Sequence, residues 1–218
     1  MHMRSRSLLG IFGGLSLASL GLFIFGAIDN RSMDHVYLFW NLFLAWIPLL
    51  LALLLARMLR TRRWSSWPAI GVSLAWLGFL PNTFYMVTDY IHVNEAPRAD
   101  VVYDTVMFTL PILTAFLLGI VSMYIVHRLL QERISGVRAW RVIALVALLA
   151  SFAIYIGRFL RWNTWDMITN PSGILFDLSD IILQPLRHGQ VLVTTMSFFV
   201  LIMISYWAFW RGLRLIKG

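Results

Sequence analysis

The sequence predicts an all-α protein: a polytopic integral membrane helix bundle of about six transmembrane helices, forming one domain over residues 1–218. The 218 residues are 60% hydrophobic and 13% charged, whereas soluble domains average roughly 45–50% apolar and about 25% charged residues. Six apolar runs also reach the length of about 20 residues that a helix needs to cross a bilayer. The chain has no cysteine, which excludes a disulfide scaffold and thiolate chemistry.

The predicted spans are runs bounded by charged or polar segments. They cover residues 8–28, 36–59, 67–87, 101–126, 140–160 and 190–210. The first run exceeds the roughly 7–15 apolar residues of a signal-peptide core, so we expect it to remain as a span. Small residues repeat along it in multiples of four, at Gly10, Gly14, Ala18 and Gly26. This spacing predicts a face that packs closely against another helix.

Positive charge is distributed unevenly between alternate loops. One side of the membrane receives 13 of the 18 Lys and Arg residues and one acidic residue, a net charge of +12. The other side receives five cations and nine acids, a net charge of −4. The positive-inside rule then places both termini in the cytoplasm. Because the inner arginines lie in short loops beside span ends, we expect membrane lipids as partners and no nucleic acid.

The third span and the residues just after it carry the strongest polar constellation. Asn82, Tyr85, Asp89 and His92 follow one another at spacings of three, four and three residues. If the α-helix continues past Thr88, this spacing places them within about 80° of arc and forms one polar stripe. Pro81 lacks a backbone donor and should kink the helix, which frees a carbonyl that the Asn82 side chain can satisfy.

Asp89 and His92 are the strongest chemical candidates. A carboxylate beside an imidazole orients the ring and raises its basicity, so the pair can act in acid/base catalysis or as two ligands of a divalent metal. The alternative is an interfacial pair whose members satisfy each other at the water boundary. Asp104 begins the fourth span at a similar predicted depth and is the third catalytic candidate, although it can equally stabilise the helix start through the helix dipole.

Two arginines, Arg158 and Arg161, end the fifth span on the acidic side of the membrane. A guanidinium binds phosphate or carboxylate in a bidentate manner, so the pair predicts a site for an anionic head group or acidic substrate. The alternative is an ion pair of one arginine with Asp89 or Asp104. Asn41, about 8 Å inside the same boundary by helical rise, joins the substrate-binding candidates.

A short segment follows the fifth span. Residues 170–173, Asn-Pro-Ser-Gly, predict a turn before residues 174–184. This stretch is too short to cross a membrane, and its acidic residues share one side. It is therefore predicted to form an interfacial amphipathic helix on the outer face.

Four runs of the chain carry a family resemblance: NLFLAWIP at 41–48, LPNTFYMVTDYIH at 80–92, YD at 103–104 and GRFLRWNTWD at 157–166. With them the chain resembles a bacterial membrane family catalogued as domain of unknown function 1361. The resemblance implies a multi-spanning inner-membrane protein and brings no biochemical activity with it. Its recurrent runs coincide with the polar cluster derived from depth and spacing, and the last run adds Asn163 and Asp166 to the substrate-binding candidates.

These features predict an outer-leaflet site that binds or modifies a lipid or another anionic amphiphile. Its catalytic candidates are Asp89, His92 and Asp104, and its substrate-binding candidates are Asn41, Asn82, Tyr85, Arg158, Arg161, Asn163 and Asp166. One alternative is a small-solute transporter or channel, favoured by prolines in the second, third and fourth spans because discontinuous helices frame substrate sites. The other is a non-catalytic assembly protein that forms homo-oligomers or docks another membrane protein through its first span.

Overall fold

The computed structural model describes residues 2–30, 35–95, 101–162, 166–183 and 189–215. Every regular element within these ranges is helical, which confirms the all-α prediction for the described part of the chain. The elements are α1 His2–Asn30, α2 Tyr37–Met58, α3 Trp67–Phe79, α4 Pro81–Tyr85, a 3-10 helix Met86–Glu95, α5 Val101–Gln131, α6 Gly136–Phe159, α7 Asp166–Thr169, α8 Pro171–Leu183 and α9 Gly189–Leu215.

Six helical segments are long and apolar enough to cross a membrane. They are Arg6–Ile28, Tyr37–Met58, Trp67–Val93, Val101–Gln131, Gly136–Phe159 and Gly189–Leu215. Each overlaps one predicted span, so the prediction of six spans is confirmed. Helix α5, which forms the fourth of these segments, extends five residues past the predicted end of the span at residue 126. Helical hydrogen bonding continues through polar residues where an apolar run stops.

The chain divides into two compact units, Met1–Val126 and His127–Gly218. In the first unit, α2 packs against α3, α4 and the 3-10 helix. Ala45, Leu49 and Ala52 on α2 are fully buried, and their spacing of four and three residues defines the apolar face of that helix. This packing holds the 3-10 helix beside α2.

The prolines affect their helices differently. Pro48 and Pro111 lie inside α2 and α5, which continue as single helices, so the expected interruption is found only in the third span. There α3 ends at Phe79 and α4 begins at Pro81. Asn82 Nδ2 donates to the Phe79 carbonyl at 3.1 Å. The asparagine therefore satisfies the Phe79 carbonyl at the break, whereas the carbonyl that Pro81 deprives of its helical donor is that of Leu77, four residues earlier.

The small-residue face of α1 is packed at one position only. A Cβ built on Gly26 would lie 2.9 Å from Tyr103 Cε1. The other two glycines of the stripe have no described atom within 4 Å of such a Cβ. Within the described residues, close packing of this stripe is therefore seen at Gly26 and not at Gly10 or Gly14. A different face of α1 meets α2, where Trp46 Nε1 donates to Ser16 Oγ at 3.1 Å.

In the second unit, α6 and α9 pack along each other. Ala139, Ala147 and Ala150 on α6 are buried, and such small side chains allow two helix backbones to approach closely. Trp140, near the start of α6, lies 5.7 Å from Trp210, near the end of α9, measured between ring centroids. The two helices therefore run antiparallel.

His127, in the last turn of α5, is fully buried in the second unit. Its Nδ1 lies 2.7 Å from the Tyr206 hydroxyl and its Nε2 lies 3.2 Å from Gln131 Nε2. The imidazole stacks on Trp210 with centroids 4.4 Å apart and meets the Trp140 ring edge-on at 4.8 Å. The predicted span ends one residue earlier, so sequence reasoning missed this cluster.

The segment after α6 folds around Trp162. Helix α8 begins at Pro171, three residues before the predicted start, because Asn170 Oδ1 accepts the Gly173 amide at 3.1 Å and caps the first turn. Trp162 Nε1 donates to Asp177 Oδ2 at 2.7 Å. A Cβ built on Gly173 would lie 2.6 Å from Trp162 Cη2, so the indole requires glycine at this position.

Candidate functional site

Two polar side chains lie on one face of the first turns of α2. Tyr37 is the first residue of the helix and Asn41 follows four residues later. Residues at this spacing lie one above the other on the surface of an α-helix. Tyr37 and Asn41 therefore form a pair whose members are separated along the helix axis by about 6 Å.

A second pair lies on the 3-10 helix, where Asp89 and His92 are three residues apart. A 3-10 helix has 3.0 residues per turn, so these side chains eclipse each other. The predicted polar stripe assumed that the α-helix continued, and this expectation is wrong because the helix type changes after Tyr85. At about 120° per residue, Tyr85 lies roughly a third of a turn away from the Asp89 face.

The two pairs face each other. Asn41 Nδ2 donates to Asp89 Oδ2 at 3.2 Å, and the Tyr37 and His92 rings meet edge-on with centroids 5.8 Å apart. Three residues of a 3-10 helix rise about 6 Å, which matches four residues of an α-helix and keeps both pairs in register. We call these four residues the Asp89 site.

The Asp89 carboxylate is almost completely buried. Its side chain is 2% exposed and lies inside Trp67–Val93, a segment apolar enough to cross a membrane. A carboxylate removed from water requires hydrogen-bond donors or a compensating charge. Asn41 supplies one donor from a neighbouring helix, and this contact fixes the orientation of the carboxylate toward α2.

Asp104 lies on the α5 side of the same unit and is 3% exposed. It precedes Phe108 by four residues, so both side chains lie on one face of α5. The His35 ring packs on Phe108 with centroids 5.0 Å apart and on Tyr37 with centroids 6.1 Å apart. A row of rings thus extends from the face of α5 that carries Asp104 to Tyr37 in the Asp89 site.

Other predicted site residues lie elsewhere. Asn82 bonds the Phe79 carbonyl at the helix break. Arg158, Arg161 and Asp166 belong to the second unit. Arg161 is exposed and has φ of 59°, a left-handed conformation that non-glycine residues seldom adopt. Asn163 lies outside the described residues.

Tyr37 and His35 were missed as site residues. His35 directly precedes the predicted second span and Tyr37 is its second residue, a position where polar and aromatic residues usually reflect the membrane boundary. A usable signal was the spacing of four residues between Tyr37 and Asn41, because one face of a helix that carries two polar groups favours a polar partner.

A metal bound at the Asp89 site would have few protein ligands. Within the described ranges, no group of three or more His, Asp or Glu side chains is arranged to hold a metal ion. Asp89 and His92 could supply two ligands, and the remaining positions would be taken by water or by a substrate. A structural metal site usually has four protein ligands, so this arrangement fits only an open, catalytic site.

The fold and the site define a class: a multi-pass helical protein with buried carboxylates at one end of its first unit. A family model described as a protein of unknown function (DUF1361) matches residues 40–204. The chain therefore belongs to the DUF1361 family, and three of the four Asp89-site residues lie within the matched range. No curated protein and no solved structure matches the chain.

Proposed function

We propose that the protein binds a membrane amphiphile at the Asp89 site and modifies its polar head by proton transfer. The observation that supports the proposal is the Asp89 carboxylate, which is 2% exposed and held by Asn41 inside a membrane-crossing segment. Ionisable groups are costly at such positions and generally serve a function there. The proposed ligand is a lipid or another anionic amphiphile.

The proposed roles of the Asp89-site residues follow from their positions and from the acid/base chemistry of their side chains. Asp89 and His92 eclipse each other on the 3-10 helix, so one can accept a proton from the head group while the other donates a proton to it. Asp104 supplies a second buried carboxylate in the same unit. Asn41 positions Asp89 through its amide, and Tyr37 supports the imidazole ring.

Arg158 and Arg161, in the second unit, are proposed in their own right as a site for an anionic head group. Arg158 lies in the last turn of α6, and Arg161 lies two residues past the end of that helix. Their guanidinium groups suit phosphate or carboxylate. Asn163 and Asp166 remain candidates for hydrogen bonds to the same head group.

The test is lipid analysis of the purified protein by native mass spectrometry and extraction. Asp89→Asn, His92→Gln and Arg158→Gln should each lose the co-purified amphiphile or its conversion while the protein still elutes as a folded species. Glu132→Gln, at an exposed position of the second unit, is the matched control and should retain both. The proposal is overturned if the site variants keep the wild-type lipid content and conversion, or if all of them unfold.

Metal dependence is tested on the same preparations. If Asp89 and His92 bind a divalent metal, elemental analysis should find about one metal per chain in the wild type and none in Asp89→Asn. A metal content equal in both proteins would remove the metal from the mechanism and leave the acid/base role.

The helix break at Pro81 favours a second candidate, transport of a small solute. Half-helices that end within a span often frame substrate sites, and α3 and α4 meet in this way. In reconstituted liposomes, solute flux above that of empty vesicles that disappears in Asp89→Asn would favour transport over modification.

The proposed location is the inner membrane of a bacterium, with both termini in the cytoplasm. The charge difference of +12 against −4 between alternate loops supports the orientation of the termini. We also propose that α8 lies at the outer interface, because Leu175, Phe176 and Leu183 on this helix are exposed and would enter the lipid.

A further inference from the structure

The end of α9 carries two arginines whose side chains lie on tryptophan rings. The guanidinium carbon of Arg211 is 5.9 Å from the centroid of Trp207, and that of Arg214 is 5.0 Å from the centroid of Trp210. Each arginine follows its tryptophan by four residues, so the two members share a helix face. A guanidinium stacked on an indole is held in place while the N–H donors in its plane still point outward.

This end of the second unit is strongly positive. Arg211 and Arg214 are three residues apart, a spacing at which like charges repel, and α9 contains no acidic residue. His127 and Trp140 both contact Trp210, which brings the end of α5 and the start of α6 to the same place. Those segments add four exposed arginines and one exposed acid, namely Arg128, Arg133, Arg138, Arg141 and Glu132. The imbalance favours an anionic partner.

An exposed apolar stripe leads to the arginine pair. Met196, Val200, Ile204 and Trp207 are 42%, 49%, 61% and 55% exposed. Their spacing of four, four and three residues places them on one face of α9. The stripe is about 16 Å long at 1.5 Å per residue, which is about half of a hydrocarbon core of roughly 30 Å. It therefore has the length of an acyl chain in one leaflet.

We propose that Arg211, Arg214 and this stripe form a binding site for an anionic phospholipid. The phosphate accepts hydrogen bonds from the two guanidinium groups, and one acyl chain lies along the stripe. Orientation of the protein in the membrane requires only that these residues be positively charged. The proposed lipid site requires in addition that the two guanidinium groups be held in fixed positions. It lies within the second unit and does not depend on the function proposed for the Asp89 site.

The test is a titration of the whole protein in a neutral detergent, followed by native mass spectrometry. The probes are phosphatidylglycerol, phosphatidylcholine and inorganic phosphate. The double variant Arg211→Gln/Arg214→Gln should bind phosphatidylglycerol about tenfold or more weakly than wild type, because it loses both contacts to the phosphate. Arg62→Gln/Arg63→Gln removes the same charge from exposed positions in the first unit and should change affinity less than about twofold.

Further variants separate the contribution of the indole ring to lipid binding from that of the two guanidinium groups. Trp207→Leu keeps the apolar surface and removes one ring, so it should weaken phosphatidylglycerol binding by an intermediate factor. Arg211→Lys/Arg214→Lys keeps the charge, loses the planar donors and should also bind more weakly, which preserves the test if the glutamine variant fails to fold. The proposal is overturned if the Arg62/Arg63 control loses as much affinity as the α9 variants, or if the α9 variants bind phosphatidylglycerol like wild type. It is also overturned if phosphatidylcholine binds as strongly as phosphatidylglycerol, or if inorganic phosphate displaces the lipid completely.

Discussion

Replacing Gly119 with alanine should destabilise the first unit. A Cβ at this position would clash with Thr83 Oγ1 and would lie 2.7 Å from Phe84 Cζ. Thr83 and Phe84 are fully buried, and the Thr83 hydroxyl is fixed by its bond to the Leu80 carbonyl at 2.7 Å. Neither side chain can move without disturbing α4, so the added methyl group must push α4 and α5 apart.

The expected loss is set by two opposing effects. Overpacking a close helix contact costs about 1–3 kcal/mol, while alanine in a helix gains about 0.5–1 kcal/mol over glycine. We expect Gly119→Ala to lower the free energy of unfolding by about 1–2 kcal/mol, measured by denaturant titration in detergent. Gly78→Ala is the control, since no described atom lies within 4 Å of its Cβ, and it should be neutral or slightly stabilising. The packing argument is refuted if Gly119→Ala is as stable as Gly78→Ala.

The remaining predictions concern the second unit and the orientation of the chain. Gly173→Ala should displace Trp162 and shift the tryptophan emission spectrum, because its Cβ would lie 2.6 Å from the indole; an unchanged spectrum and midpoint of unfolding would contradict this. His127→Leu should lower stability by about 1–3 kcal/mol through lost hydrogen bonds in a buried site, and an unchanged denaturation midpoint would count against the cluster as an anchor. The chain has no cysteine, so Ser65→Cys and Ser172→Cys can be labelled singly in intact cells. An impermeant maleimide should label only the Ser172→Cys variant. Labelling of the Ser65→Cys variant alone would reverse the predicted topology.

The span number could be predicted from the sequence because it depends on length and hydropathy alone. About 20 apolar residues in a row have few structural alternatives within a bilayer. Side-chain chemistry at the ends of spans was harder to predict, because a polar residue ends an apolar run without ending the helix. His127 shows this: it directly follows the predicted span, yet it is fully buried between three aromatic rings of α6 and α9.

The Asp89 site could be predicted in part. Asn41, Asp89 and His92 were selected from depth and spacing, and the Asn41–Asp89 hydrogen bond joins two of them. Tyr85 lies away from the Asp89 face because the chain changes to a 3-10 helix after it, and Asn82 donates to the Phe79 carbonyl at the helix break. The hydrophobic and polar periodicity of the sequence assumes one helix type and does not show where that type changes.

The register between α2 and the 3-10 helix explains why the helix type matters for the site. If residues 89–92 were α-helical, they would rise about 4.5 Å instead of about 6 Å. His92 would then lie short of Tyr37 while Asn41 still held Asp89. The eclipsed geometry also aligns the imidazole with the carboxylate, whereas an α-helix would offset them by about 60°. The break at Pro81 ends the preceding α-helix, and the tighter helix after Tyr85 brings both chemical groups of the third span against one face of α2.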